Sequence, residues 1–225
     1  MSIFLLDDEL IFPHPSLADR DGFLAVGGDL SIERLLLAYS NGIFPWPHGL
    51  QLFWASPDPR LILLPEKFKL SKSLKQTLRN KPFKVKSDTV FKEVVTNCAQ
   101  VSRKENNGTW ITQEIIRAYC ALHELGLAHS IEVFFENKLV GGLYGVSLGK
   151  VFMGESMFYK ERDASKVALY YLVRIMKTQT FDFIDAQVPT EHLIRLGAER
   201  ISREKYLEML NKSLEHETLK GVWRI

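Results

Sequence analysis

The spacing of apolar and polar positions changes several times along the chain, and each change marks an expected element. After Ser31, a capping residue, Leu35, Leu36 and Tyr39 of "IERLLLAYSN" recur with a helical period, and Gly42 ends the run. Further helices are predicted from Ser71 to about Asn80, from Thr89 to Ala99, and from Thr112 to Leu125, where Gly126 stops the pattern. The period then falls to two. "HSIEVFFE", "LVGGLYGVS" and "VFMGESMF" are three strands, and turns at Asn137-Lys138 and Leu148-Gly149-Lys150 are short enough for antiparallel hairpins. "FKVKS" alternates like an edge strand. Residues 164–179 return to the helical period, lead into "FDFIDAQV", and are followed by a short helix from Thr190 and a last one near Arg203 to Leu214.

The first sixty residues, apart from their one helix, follow neither period. "FPHPSLADRDGFLAVGGDLS" is turn chemistry, and "GIFPWPHGLQLFWASPDPR", dense in proline and large aromatics, predicts a rigid loop. Regular elements are therefore expected beyond Pro65. The helix joining strand 150–158 to strand 181–188 makes that pair parallel or nearly so, within a sheet otherwise built from hairpins. This is a mixed α+β order, the order of GNAT-type acyltransferases.

At 225 residues, 46% of them hydrophobic and 25% charged, the chain has ordinary globular composition. It suffices for one large domain, or one of average size with a small appendage. Two cysteines, Cys98 and Cys120, cannot make a disulfide framework and lack metal-site spacing. "MSIFLLDDEL" carries acids where a secretory signal needs an apolar run, and no stretch approaches a bilayer's thickness. A soluble, cytoplasmic protein is expected, with no membrane partner. Charge changes the picture more. The net charge is +2, yet residues 67–104 alone carry +9 and the remainder −7. Such polarity either steers a polyanion to one face or marks a solvated helix surface.

Within the apolar "FIDAQV", Asp185 and Gln187 sit two apart and so point to one side of a strand. Glu155, in "FMGESMF", is another carboxylate among apolar neighbours, expected on the same side as Met153 and Met157. Burying such groups unpaired costs several kcal/mol, so a shared site across the two strands is expected. Gly141, Gly142 and Gly145 within one strand indicate close approach, by another backbone, a ligand or a tight sheet crossing. Trp46, Trp54 and Trp110 stand in loop-like contexts, suited either to plugging irregular structure or to stacking a nucleobase. His123 and His129 are expected to be structural. Nucleophile elbows, zinc-protease motifs and phosphate loops are absent from the sequence.

Taken in order, "GFLAVGGDLS", "LLAYSNGIFPW", "FWASPDPR", "GTWIT", "LVGGLYGV", "GESMF", "ASKVAL", "IDAQV" and "LGAERISREKYL" resemble the bacterial leucyl/phenylalanyl-tRNA–protein transferases over nearly the whole chain. The resemblance implies a small N-terminal domain, residues 1–64, and a GNAT-like catalytic domain, residues 65–225. It implies transfer of Leu or Phe, less readily Met, from aminoacyl-tRNA to proteins with N-terminal Arg or Lys, marking them for degradation, without a cofactor. By position, Trp46, Trp110 and Phe152 resemble the aromatic pocket for the terminal adenosine, with Gly154 and Glu155 its polar contacts. Leu143 and Ile184 resemble the lining for the donor side chain, and Asp185 and Gln187 the reaction-centre pair, with Glu155 a further candidate for orienting the ribose or attracting the acceptor. Lys72, Lys75 and Arg79 remain on one helical face for tRNA contact, although Gln76 and Asn80 interrupt that helix where relatives can carry Arg or Lys.

The stretch "YKERDASK", where GNAT acetyltransferases place a glycine-rich pyrophosphate loop, has no glycine and two acids, which argues against acetyl-CoA as donor. An acetyl-CoA-dependent acetyltransferase and a non-catalytic RNA-binding module are the rival readings; the second leaves the polar pair of "FIDAQV" without a purpose. A monomer is the default expectation.

Overall fold

The computed structural model describes residues 3–48, 51–100 and 110–224, and two β-sheets organise them. The smaller sheet holds β1 (Phe4–Leu6), β2 (Phe23–Gly27), β3 (Phe44–His48) and β4 (Gln51–Ala55) in the order β1-β2-β4-β3. The larger one runs β11-β5-β10-β9-β8-β7-β6. Its strands are β5 (Arg60–Leu63), β6 (Lys84–Ser87), β7 (Ala128–Phe135), β8 (Lys138–Leu148), β9 (Val151–Tyr159), β10 (Phe183–Gln187) and β11 (Glu199–Ile201). The helices are α1 (Ile32–Ser40), α2 (Lys72–Asn80), α3 (Phe91–Gln100), α4 (Gln113–Glu124), α5 (Ala164–Thr178), α6 (Glu191–Arg195) and α7 (Arg203–Leu214). Ser31, Ser71 and Thr112 cap α1, α2 and α4 through their side-chain oxygens, each satisfying an N–H that the helix cannot.

The α5 crossover makes β9 and β10 parallel, while every other pair in the large sheet is antiparallel. Both faces of this sheet are covered. Ile131, Val133, Phe152 and Ile184 pack with Val167, Leu172 and Met176 of α5 on one side. Val146, Met153 and Phe183 face the other, in a core shared with α1, α3, α4, α7 and the small sheet. Apolar burial on both faces explains the near-continuous hydrophobic runs of the central strands.

Several expectations need correction. Residues 42–60 are not a loop: Phe44–His48 and Gln51–Ala55 pair antiparallel as β3 and β4. Proline survives there because β3 is an edge strand, and Pro45 and Pro47, two apart, both turn their missing N–H away from β4. Regular structure therefore starts well before Pro65. Arg60–Leu63 pairs with β10 and β11, so it belongs to the large sheet and not to the first 64 residues' own fold. The first hairpin turns at Glu136-Asn137, both at positive φ, one residue earlier than expected. The short strand β11 had no expected counterpart.

Two bulges re-aim side chains near the middle of the large sheet. The β8–β9 register shifts between Tyr144/Ser156 and Gly145/Gly154, leaving Glu155 as the extra residue. Met153 and Phe158 consequently face one core, and Phe152 and Met157 the other. The expectation that Glu155 shares its side with both methionines fails for Met157. The β10–β5 register shifts between Asp185 and Gln187, and Gln187 takes φ +59. The strand glycines serve packing. A Cβ at Gly141 would lie 2.5 Å from Ala164 Cβ, and one at Gly145 would lie 2.2 Å from the Met153 carbonyl oxygen. Gly145→Ala is thus expected to lower folding stability by about 1–3 kcal/mol or more, because backbone and not a flexible side chain must move; urea denaturation checks this.

Candidate active site

Where β9 and β10 separate, past the Asp185–Met153 pair, the structure opens a cavity of about 400 Å³. That is within the range of small-molecule sites. Its wall is largely apolar. Leu63, Leu143, Phe152, Leu169, Leu172 and Ile184 line one part, with Met157, Ala186 and Val188 nearby. β3 contributes Phe44, Pro45 and Trp46 from the small sheet, and Trp110 comes from just before α4. Trp46 is half-buried and held at the rim by Phe23 and Phe44, with ring centroids at 5.8 and 5.9 Å. Gly154, Glu155, Ser156, Gln187, Thr190 and His192 supply the polar groups.

The structure therefore brings Trp46, Trp110, Phe152, Gly154, Leu143, Ile184, Glu155 and Gln187 to one cavity. Asp185 is not in its wall. Its carboxylate, fully buried, accepts from Arg60 Nε at 2.8 Å, Arg60 Nη2 at 2.6 Å and the Tyr206 hydroxyl at 2.9 Å. Its contact with Gln187 is to the backbone: Gln187 N–H donates to Asp185 Oδ1 at 2.9 Å. That bond fixes the left-handed bulge residue, and the amide side chain then reaches the cavity. Arg60 also donates to the Gly42 carbonyl and lies over the Phe44 and Tyr206 rings, at 4.9 and 4.4 Å from their centroids. Burial opposes its charge, but Asp185 and Tyr206 more than offset this and hold the guanidinium above its ordinary pKa.

Glu155 is the other hub. Tyr39 Oη and Gln187 Nε2 donate to Oε1 at 2.7 and 2.9 Å, and Tyr119 Oη donates to Oε2 at 2.8 Å. The two tyrosine hydroxyls also touch each other. Burial pushes the Glu155 carboxyl up to about 7, although the three donors pull it down; the nearby Asp185 charge adds to the rise. Burial likewise raises both tyrosines, with the Glu155 charge reinforcing it.

Outside the cavity, Trp54 is a core plug, wholly buried with its indole N–H on the Gly27 carbonyl. His129 and His123 bond Asp88 and the Ala128 carbonyl, and Trp223 stacks on His129. Lys72, Lys75 and Arg79 are exposed on α2, opposite the buried Leu74, and away from the cavity wall. Arg103 and Lys104 of the basic stretch, and Gly108 and Thr109 of the "GTWIT" motif, lie outside the described residues.

Residues 62–211 match the family model described as leucyl/phenylalanyl-tRNA protein transferase, and residues 28–58 match that of its N-terminal domain. The chain belongs to this family. Among leucyl/phenylalanyl-tRNA–protein transferases, that of Legionella pneumophila (strain Corby) is 53% identical over 97% of this chain and 98% of its own. That of Thermodesulfovibrio yellowstonii is 52% identical over 99% of this chain and 91% of its own. This chain is accordingly an aminoacyltransferase. Among solved structures, one of unknown function from Staphylococcus epidermidis superposes with a TM-score of 0.44 at 8% identity, covering 80% of this chain and 68% of that one.

For the transferase, Arg60, Tyr206, Tyr39 and Tyr119 are the site residues that sequence reasoning passed over. Arg60 opens an apolar strand, "RLIL", and a cation so placed needs a buried partner. The tyrosines hid in helix stripes, where only their polar tips signal a further requirement.

These networks predict two outcomes. Asp185→Asn strips Arg60 of its counter-charge inside the core and should cost about 3–5 kcal/mol in chemical denaturation. Glu155 holds in the folded state a proton that the unfolded chain releases from about pH 4.5. Its contribution is therefore complete below pH 4.5 and lost as pH rises through 7, by on the order of 3 kcal/mol relative to Glu155→Gln. Denaturation midpoints of both proteins across that window check the sign.

Proposed function

We propose that this transferase moves Leu or Phe, and less readily Met, from aminoacyl-tRNA to the α-amine of proteins beginning with Arg or Lys. The product then carries an N-terminus that marks it for degradation, and the enzyme works as a cytoplasmic monomer. The observation that carries the reading is a cavity in which aromatic, apolar and hydrogen-bonding walls meet, in a member of this family.

The aromatic rim of Trp46 and Trp110, with Phe152 deeper, offers flat faces for the terminal adenosine, while Leu143, Ile184 and their apolar neighbours receive the donor side chain. A β-branched side chain such as Val places a methyl against that wall next to the ester, whereas Leu or Phe extends past it. The catalytic unit is read as GNAT-like, with the parting of β9 and β10 holding the acyl group. Support against an acetyl-CoA donor comes from the start of α5, where Asp163 sits at the N-cap position and binds Lys166. Its carboxylate, which also accepts from Thr77, puts a negative charge beside the helix terminus where a pyrophosphate would have to bind.

An aminoacyl ester is already activated, so the site must align amine and carbonyl and manage a proton. Gln187 donates through Nε2 to Glu155, leaving its amide oxygen to accept from the attacking amine. Asp185 acts through the Gln187 backbone. The exposed cations of α2 hold tRNA phosphates outside the cavity.

Labelled Leu-tRNA with an Arg-initiated peptide should label the peptide, and Val-tRNA should do so at least about tenfold less, within the 1–3 kcal/mol that one methylene commands. Label appearing only with acetyl-CoA, or equal use of Val, contradicts the reading. Trp46→Ala and Trp110→Ala should each cost about 1–3 kcal/mol in kcat/KM for aminoacyl-tRNA. Replacing Lys72, Lys75 and Arg79 by Ala should flatten the salt dependence of tRNA binding by roughly one unit of slope for each phosphate no longer bound.

A further inference from the structure

Tyr39, Tyr119 and Glu155 form a closed triangle: each hydroxyl meets one carboxylate oxygen, and the hydroxyls meet each other. Each side of the triangle needs one proton, and a tyrosine hydroxyl brings only one. With Glu155 ionised, the triangle has three sides and two protons, so one side sets two bare lone pairs face to face. With Glu155 protonated the count closes: the carboxyl donates to Tyr119, Tyr119 to Tyr39, and Tyr39 back to the carboxyl. Gln187 donates to Oε1 in either state. The arrangement is thus a receptacle for one proton, in the cavity wall beside the Gln187 amide. Gln187 cannot take that proton itself, since an amide is a very weak base.

We propose that Glu155 is the base that removes a proton from the acceptor's α-ammonium group, with Tyr39 and Tyr119 closing a hydrogen-bonded ring around the acid so formed. This rests on the reading of an α-amine as acceptor. An N–H bond of the ammonium breaks and an O–H bond forms on Glu155, leaving a neutral amine. The amine nitrogen attacks the ester carbon; on collapse its second proton leaves with the tRNA ribose oxygen, and Glu155 returns the first to solvent. In sum, ammonium and ester give amide, ribose hydroxyl and one proton. The titratable groups facing this ring are Tyr39 from α1, Tyr119 from α4, Tyr144 from β8 and, one residue behind Gln187, Asp185 from β10. Burial of the carboxyl, which lifts it into the physiological range, suits it to that exchange.

Single-turnover transfer from Leu-tRNA to an Arg-initiated peptide, followed across pH, tests the assignment. Glu155→Gln should slow transfer on the order of 100-fold or more and remove the low-pH limb. Tyr39→Phe opens the ring that closes only around the acid, so the low-pH limb should shift from its wild-type position while transfer persists. Titration of the amine is common to all variants and cancels in their ratio to wild type. A limb that stays in place in Tyr39→Phe, or Glu155→Gln within a few-fold of wild type, overturns the assignment. Infrared difference spectra of the unmodified enzyme need no variant: a protonated-carboxyl carbonyl band should fade as pH rises through about 7, and its absence at low pH also overturns the ring. Wild-type enzyme that transfers nothing to an α-amine defeats the functional reading as well, whereas each of the other adverse results defeats the proton assignment alone.

Discussion

The ion pair between Arg60 and Asp185 is the constraint on which the rest of the molecule turns. Both side chains are about 1% exposed, so each charge has lost its water and depends on the other. Such a pair does little for net stability, because desolvation offsets most of its attraction. Its effect is geometric. Through one guanidinium it ties β5, β10, α7 and the Gly42 carbonyl before β3, which includes the passage from the small sheet to the large one. Hydrogen-bond geometry at a planar fork tolerates little displacement, so the walls of the cavity inherit that rigidity.

From that anchor the site is built by two irregularities. β9 carries an extra residue at Glu155, and β10 breaks its register at Gln187. Regular pleating would have sent these side chains on fixed alternate faces of a continuous sheet. The bulges free them to meet at 2.9 Å where the parallel strands cease to pair. Strain at Gln187 is stabilised by the bond from its N–H to Asp185, so the carboxylate that does not reach the cavity still determines what does. The result is a water-poor polar cluster set in an otherwise apolar wall, where small changes in protonation have large electrostatic consequences.

Much of this was legible in the residues. Capping residues and periodic stripes located the helices, and short turns located the β7–β8–β9 meander, because those signals are local. The polar interruptions of "FMGESMF" and "FIDAQV" announced their site, since apolar strands do not carry carboxylates and amides idly. Two kinds of feature were out of reach. Pro45 and Pro47 concealed β3, because proline argues against a strand unless the strand is known to be an edge, and edges are a property of the assembled sheet. Arg60 and Tyr206 could not be joined to Asp185, because partners 125 and 21 positions away in sequence leave no periodic trace. Simple alternation placed Asp185 and Gln187 together; the bulge divides their labour, one facing the core and one the cavity.

The prolines of β3 have a further consequence for how polypeptides approach. An exposed sheet edge ordinarily invites another chain to add as a strand, by offering donors and acceptors in turn. Here the outward donors are missing at Pro45 and Pro47, on the same short segment whose Phe44 and Trp46 border the cavity. An incoming chain finds carbonyls there without matching N–H groups. The edge therefore discourages main-chain zippering beside the cavity, on the side where Phe44 and Trp46 form its wall.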